Sequence, residues 1–154
     1  MQIQHIVTCT DFSEAATRGV EAAFRLAGQF KARVTLLHVF HYPIAVDPAL
    51  APTTLAQAEK FLAEARDAAA AHLKELAAQT ASKTGLRGQV ECQVLEGPPY
   101  DAISKACKPE DLLVVSTHGR TGAKRLMLGS VAERLVRCAP CPVLTVPAFP
   151  ASEG

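Results

Sequence analysis

Between Ser116 and Ser130 the sequence places Gly119 and Gly129 near the two ends of a loop and Arg120, Lys124 and Arg125 inside it. Glycine lets a backbone approach a ligand closely. The first N–H groups of a helix opening at Ser130 have no partners within that helix, so they can turn towards an anion. With three basic side chains in the same segment, the chemistry this combination suits is the capture of phosphate. Ser130-Val131-Ala132-Glu133 also has the Ser-x-x-Glu form of a capping box, which predicts that Ser130 caps the helix whether or not an anion is present.

A second candidate stretch is Thr8 to Asp11. There Asp11 can accept hydrogen bonds from ribose hydroxyls, help hold a metal, or merely make a turn. His118, beside Gly119, is a ligand candidate. His38 stands mid-strand with no Ser or Cys partner apparent and reads as a core or interface histidine. Cys138 and Cys141 have Cys-x-x-Cys spacing but supply only half of a four-ligand zinc site. They also sit at the end of the last helix rather than at a helix start, the position that favours a reactive thiolate. All five cysteines are expected to be free thiols.

The elements that must position these residues follow from periodicity. Ile3 to Thr8 is a strand ending at Thr10-Asp11-Phe12-Ser13, a turn and helix start. Ala16, Val20, Ala23, Phe24 and Ala27 share one face of a helix reaching about Phe30. Arg33 to Phe40 is a strand apolar enough to be covered on both sides. Pro43, Pro48 and Pro52 make the next stretch a loop, after which Thr54 caps a long helix from Leu55 to about Thr80. Gln89 to Leu95, a short helix opening at Pro98-Pro99, Asp111 to Ser116, the Ser130 helix and Pro142 to Val146 complete a βαβαβαβαβ order.

That order predicts a single-domain α/β fold, an open five-stranded parallel sheet with helices on both faces and a C-terminal tail at residues 148–154. A ligand then belongs at the carboxyl ends of two diverging strands. A formal net charge of +1 and the absence of Trp in 154 residues speak against a nucleic-acid surface. The apolar runs are too short to span a membrane and no signal-like start is present, so the expected location is cytoplasmic.

The glycine loop is neither a P-loop nor a Gly-x-Gly-x-x-Gly fingerprint. It resembles instead the universal stress proteins, in their ATP-binding branch, whose pattern is Gly, two residues, Gly, nine residues, then Gly-Ser or Gly-Thr. Here Gly119 is followed by nine residues and Gly129-Ser130, while Ser116 replaces the first glycine. Thr10-Asp11-Phe12-Ser13, Leu-His-Val at 37–39, Thr-His-Gly-Arg-Thr-Gly at 117–122 and Ala-Pro-Cys-Pro-Val at 139–143 extend the likeness over nearly the whole chain.

The resemblance implies a Rossmann-like sheet of order 3-2-1-4-5 and ATP, with Mg²⁺ or Mn²⁺, between strand one and the loop. It assigns Thr10 and Asp11 to the ribose or metal side and the backbone of Val39 to adenine. Ser116, His118, Gly119, Arg120, Gly129, Ser130 and the N–H of Val131 fall around the phosphates. It also implies a homodimer through Val143 to Val146, an apolar edge strand in that order. No general base placed for water is evident, so binding with slow or no hydrolysis is expected. The alternative is a dimeric protein-interaction module of the same fold that binds no nucleotide.

Overall fold

The computed structural model describes residues 2–40, 55–117 and 128–147. The elements are β1 (His5–Thr10), α1 (Glu14–Phe30), β2 (Arg33–Phe40), α2 (Leu55–Thr84), β3 (Val90–Glu96), α3 (Pro99–Ala106), β4 (Leu112–Ser116), α4 (Ser130–Cys138) and β5 (Val143–Val146). All strand pairs are parallel and the sheet order is β3-β2-β1-β4-β5. The proline loop after His41, the cap expected at Thr54 and the tail at 148–154 lie outside the described residues.

Two cores cover the two faces of the sheet. Ile6, Leu36 and Val114 meet Val20, Phe24 and Leu73 on the α1 and α2 side, while Val7, Leu37 and Leu113 meet Ile103 and Leu135 on the α3 and α4 side. Alternate residues of each strand therefore serve opposite cores, which explains the near-continuous apolar runs of β2 and β4. The long α2 buries chiefly its second half, through Leu73, Ala77 and Thr80. It runs past Thr80 to Thr84 before Gly85, at φ +71°, breaks it.

β1 starts and ends two residues later than the apolar run suggests, because its ladder to β2 pairs His5 with Arg33 and Thr10 with His38. His5 is held there by its side chain. Its Nδ1–H donates to Asp111 Oδ1 at 2.8 Å, and Nε2 faces the Thr35 hydroxyl at 2.8 Å. Asp111, 1% exposed, also accepts from the Lys108 N–H at 2.8 Å. The cluster ties β1, β2 and the approach to β4 together at the amino-terminal edge of the sheet. Among the described residues no helix is long and apolar enough to cross a membrane.

Candidate functional site

At the opposite edge, β1 and β4 are neighbours whose following helices, α1 and α4, pack on opposite faces of the sheet. The chains leaving the two strands diverge, and a cleft of about 280 Å³ opens between them. Thr10 and Asp11 after β1, Val39 near the end of β2, Ser116 at the end of β4, and Gly129, Ser130 and Val131 at the start of α4 all line it. Seven residues picked out by sequence pattern and resemblance are thus brought to one place. His118, Gly119 and Arg120, with Lys124 and Arg125, lie outside the described residues.

Short-range bonds fix the β1 wall. Thr10 Oγ1 accepts from the Phe12 N–H at 2.9 Å, Asp11 Oδ1 from the Ser13 N–H at 3.0 Å, and Ser13 Oγ from the Ala16 N–H at 3.2 Å. Asp11 therefore has the turn-making role that sequence allowed, and Ser13 caps α1 as its position predicts. His38 is buried and donates from Nδ1 to the Thr10 carbonyl at 2.9 Å, in keeping with a core histidine. Val39 stands one residue beyond the last β1–β2 pair, opposite Leu95 of β3.

The α4 wall corrects the capping expectation. The N-cap is Gly129, in extended backbone at φ −61° and ψ 148°, and Ser130 is the first helical residue with no capping bond from the N-cap side chain. The cause is tertiary. The Gly129 N–H is drawn to the Thr117 carbonyl at 2.7 Å, and the Gly129 carbonyl accepts from the Glu133 N–H at 2.8 Å, so the helix has already begun at Ser130. The Glu133 carboxylate, instead of closing a capping box, pairs with Arg137 at 3.0 Å. Ser130 is exposed, and the N–H groups of Ser130, Val131 and Ala132 occupy the first turn, where no intrahelical acceptor exists. Gly129 needs no unusual backbone angles.

Thr117 is the hinge of this arrangement: its N–H donates to the Val146 carbonyl at 2.9 Å while its own carbonyl holds Gly129. The edge strand β5 thereby sets where α4 begins. Ser116 is set from behind, since α1 crosses β4 closely at Gly19.

Sequence reasoning missed the apolar side of the cleft. Cys9, Pro99, Ile103, Val115 and Leu135 line it together with Val39. The signal available was Pro99 at the first turn of α3 with Ile103 one turn later, a face pointing back over the strand ends. Burial, reinforced by the charge of Asp11, pushes the Cys9 thiol up to about 12, so it stays neutral at physiological pH. All five cysteines are free, as expected. Among the described residues no group of three or more His, Cys, Asp or Glu side chains gathers to hold a metal.

A cleft with one carboxylate, several hydroxyls, a helix N-terminus and an apolar wall suits a ligand that is anionic at one end and apolar at the other. The profile of the Universal stress protein family matches residues 2–147. The chain belongs to the universal stress protein family. Among its relatives, a universal stress protein of Methanocaldococcus jannaschii is 33% identical over 144 residues, covering 92% of this chain and 80% of its own length. Universal stress protein UspA from Lactobacillus plantarum superposes with a TM-score of 0.71 at 26% identity, covering 95% of this chain and 99% of that one. A universal stress protein solved in complex with cAMP matches in fold, with a TM-score of 0.64 at 23% identity over 97% of this chain and 100% of that one.

Proposed function

We propose that this universal stress protein is a cytoplasmic ATP-binding regulator of stress responses, holding the nucleotide between the end of β1 and the segment from Gly119 to Ser130. The observation that carries the reading is the convergence of Asp11 and the first turn of α4 on one cleft that is apolar on its other side. In this reading the N–H groups of Gly129, Ser130 and Val131 meet phosphate oxygens at the positive end of the helix dipole. Gly119, His118 and Arg120 complete that contact. Adenine rests against the Cys9, Val39 and Ile103 side, read by the Val39 backbone, and Thr10, Asp11 and Ser116 border the ribose and phosphates. Asp11, the one carboxylate of the described lining, would hold a Mg²⁺ or Mn²⁺ accompanying the nucleotide, which would supply charge neutralisation at the phosphates. The fold's capacity for an adenine nucleotide is supported by the relative solved with cAMP.

Turnover is slow or absent in this account. Asp11 is the one carboxylate of the described lining and is bonded to its own turn, so among the described residues no second carboxylate stands at the cleft to activate water. Two copies pair through β5, an edge strand of the sheet whose Leu144 is 40% exposed. Residues 1–147 form the working domain. The test is to purify the protein, denature it and identify what is released. Adenine nucleotide is expected, and its absence together with no response to added ATP would contradict the reading.

One observation favours a second reading, a dimeric interaction module that binds no nucleotide. Ser116 brings a side chain to the cleft at the position of the first glycine of the ATP-binding pattern. If Ser116→Gly gains ATP affinity from nothing, the second reading holds; binding by the unaltered chain removes it.

A further inference from the structure

Phe12 adopts a left-handed backbone, φ +63°, which a bulky side chain resists by about 1 kcal/mol or more. No glycine stands at this turn to remove that strain. What offsets it is a sandwich. The Phe12 ring lies with its centroid 4.3 Å from that of His38, tilted by 34°, and 4.3 Å from that of His72 in a nearly parallel stack at 8°. His38 is itself fixed by its bond to the Thr10 carbonyl. His72 comes from the exposed side of α2, an element otherwise remote from the cleft.

We propose that Phe12, clamped between His38 and His72, is a positioning residue that fixes the Asp11 carboxylate at the cleft, and that His72 is the outer jaw of the clamp. The left-handed turn at residue 12 sends the Phe12 ring towards α2 while Asp11 faces the cleft. Neither Phe12 nor His72 lines the cleft, so both act through Asp11. The Phe12 and Ser13 N–H groups, bonded to Thr10 Oγ1 and Asp11 Oδ1, report directly on whether the turn is held. An exposed helix histidine with only a surface role would tolerate any small substitution without effect on that turn.

As a contributor to ligand affinity the clamp rests on the nucleotide reading; as a restraint on the turn it does not, and the experiment separates the two. Amide exchange at Phe12 and Ser13 is measured in the nucleotide-free protein for the unaltered chain, His72→Ala and His72→Phe, alongside ATP titrations of each. His72→Ala is expected to speed exchange at both amides by about tenfold, and His72→Phe, which keeps a stacking ring, to restore it. ATP binding should weaken by about three- to tenfold in His72→Ala and recover in His72→Phe, and the loss should vanish in an Asp11→Ala background. Unchanged exchange in His72→Ala overturns the inference whatever ATP does. Exchange that responds in a protein that never binds ATP supports the clamp and contradicts the nucleotide reading. Phe12→Gly, which removes ring and strain together, gives a second check: the two amides should again exchange faster, and protection equal to that of the unaltered chain would overturn the proposal.

Discussion

A Cβ added at Gly19 would lie 2.9 Å from the backbone nitrogen of Ser116 and 3.3 Å from the carbonyl carbon of Val115. The bare backbone of α1 thus rests against the end of β4, where the cleft begins. Gly19→Ala has no flexible neighbour to displace, so helix or strand must shift, at a cost of about 1–3 kcal/mol by overpacking. Denaturant titration checks this against Gly28→Ala on the same helix, where the nearest atom is a Leu86 methyl at 4.0 Å. The latter should be neutral or stabilising by up to about 1 kcal/mol. Gly19→Ala should also weaken the ligand.

Thr8 is fully buried in β1, and among the described residues its hydroxyl has no hydrogen-bond partner. Thr8→Val keeps the shape and removes the orphan group, so stability should rise by about 1 kcal/mol. A fall in the denaturation midpoint would show that the hydroxyl has a partner that matters.

The Asp111 carboxylate joins His5 to the Lys108 backbone at the sheet edge far from the cleft. Asp111→Ala leaves the Lys108 N–H and the His5 imidazole without their acceptor, and should cost about 2–4 kcal/mol. ATP affinity measured well below the melting temperature should be unchanged. A comparable loss of affinity would mean that the two edges of the sheet are coupled.

Stability should decline above pH 9. Folding raises the Cys9 pKa from 9.0 to about 12, so between those values the unfolded chain carries the thiolate while the folded chain keeps the thiol. The unfolded state then binds fewer protons and the unfolding free energy falls as pH rises through that window. Cys107, pushed up by burial and by the neighbouring Cys141 thiol, adds to the same slope. Cys9→Ala should flatten the decline measured between pH 9 and 11. In the native protein a thiol reagent should modify the exposed Cys138 well before Cys9.

The parallel sheet was legible because each helix and strand announces its own period, as with Val20, Ala23, Phe24 and Ala27 of α1. The polar half of the cleft was legible through Asp11 and Gly129-Ser130. What sequence misplaced was decided by distant contacts. The cap moved from Ser130 to Gly129 because of a carbonyl twelve residues earlier, at Thr117. The stack of His72 on Phe12 joins residues sixty positions apart, and nothing in the polar face of α2 marks that histidine. The apolar wall escaped notice because Pro99 and Ile103 read equally well as an ordinary helix start and core contact.

The central claim is that the α4 N-terminus and Asp11 together bind ATP. Its most direct test is calorimetric titration of the nucleotide-free protein with ATP and Mg²⁺, in parallel with Asp11→Ala. The account predicts a saturable heat with one nucleotide per chain, weakened by about tenfold or more in the variant, as loss of a charged contact requires. Absence of heat from the unaltered chain, or equal affinity in the two proteins, would contradict it.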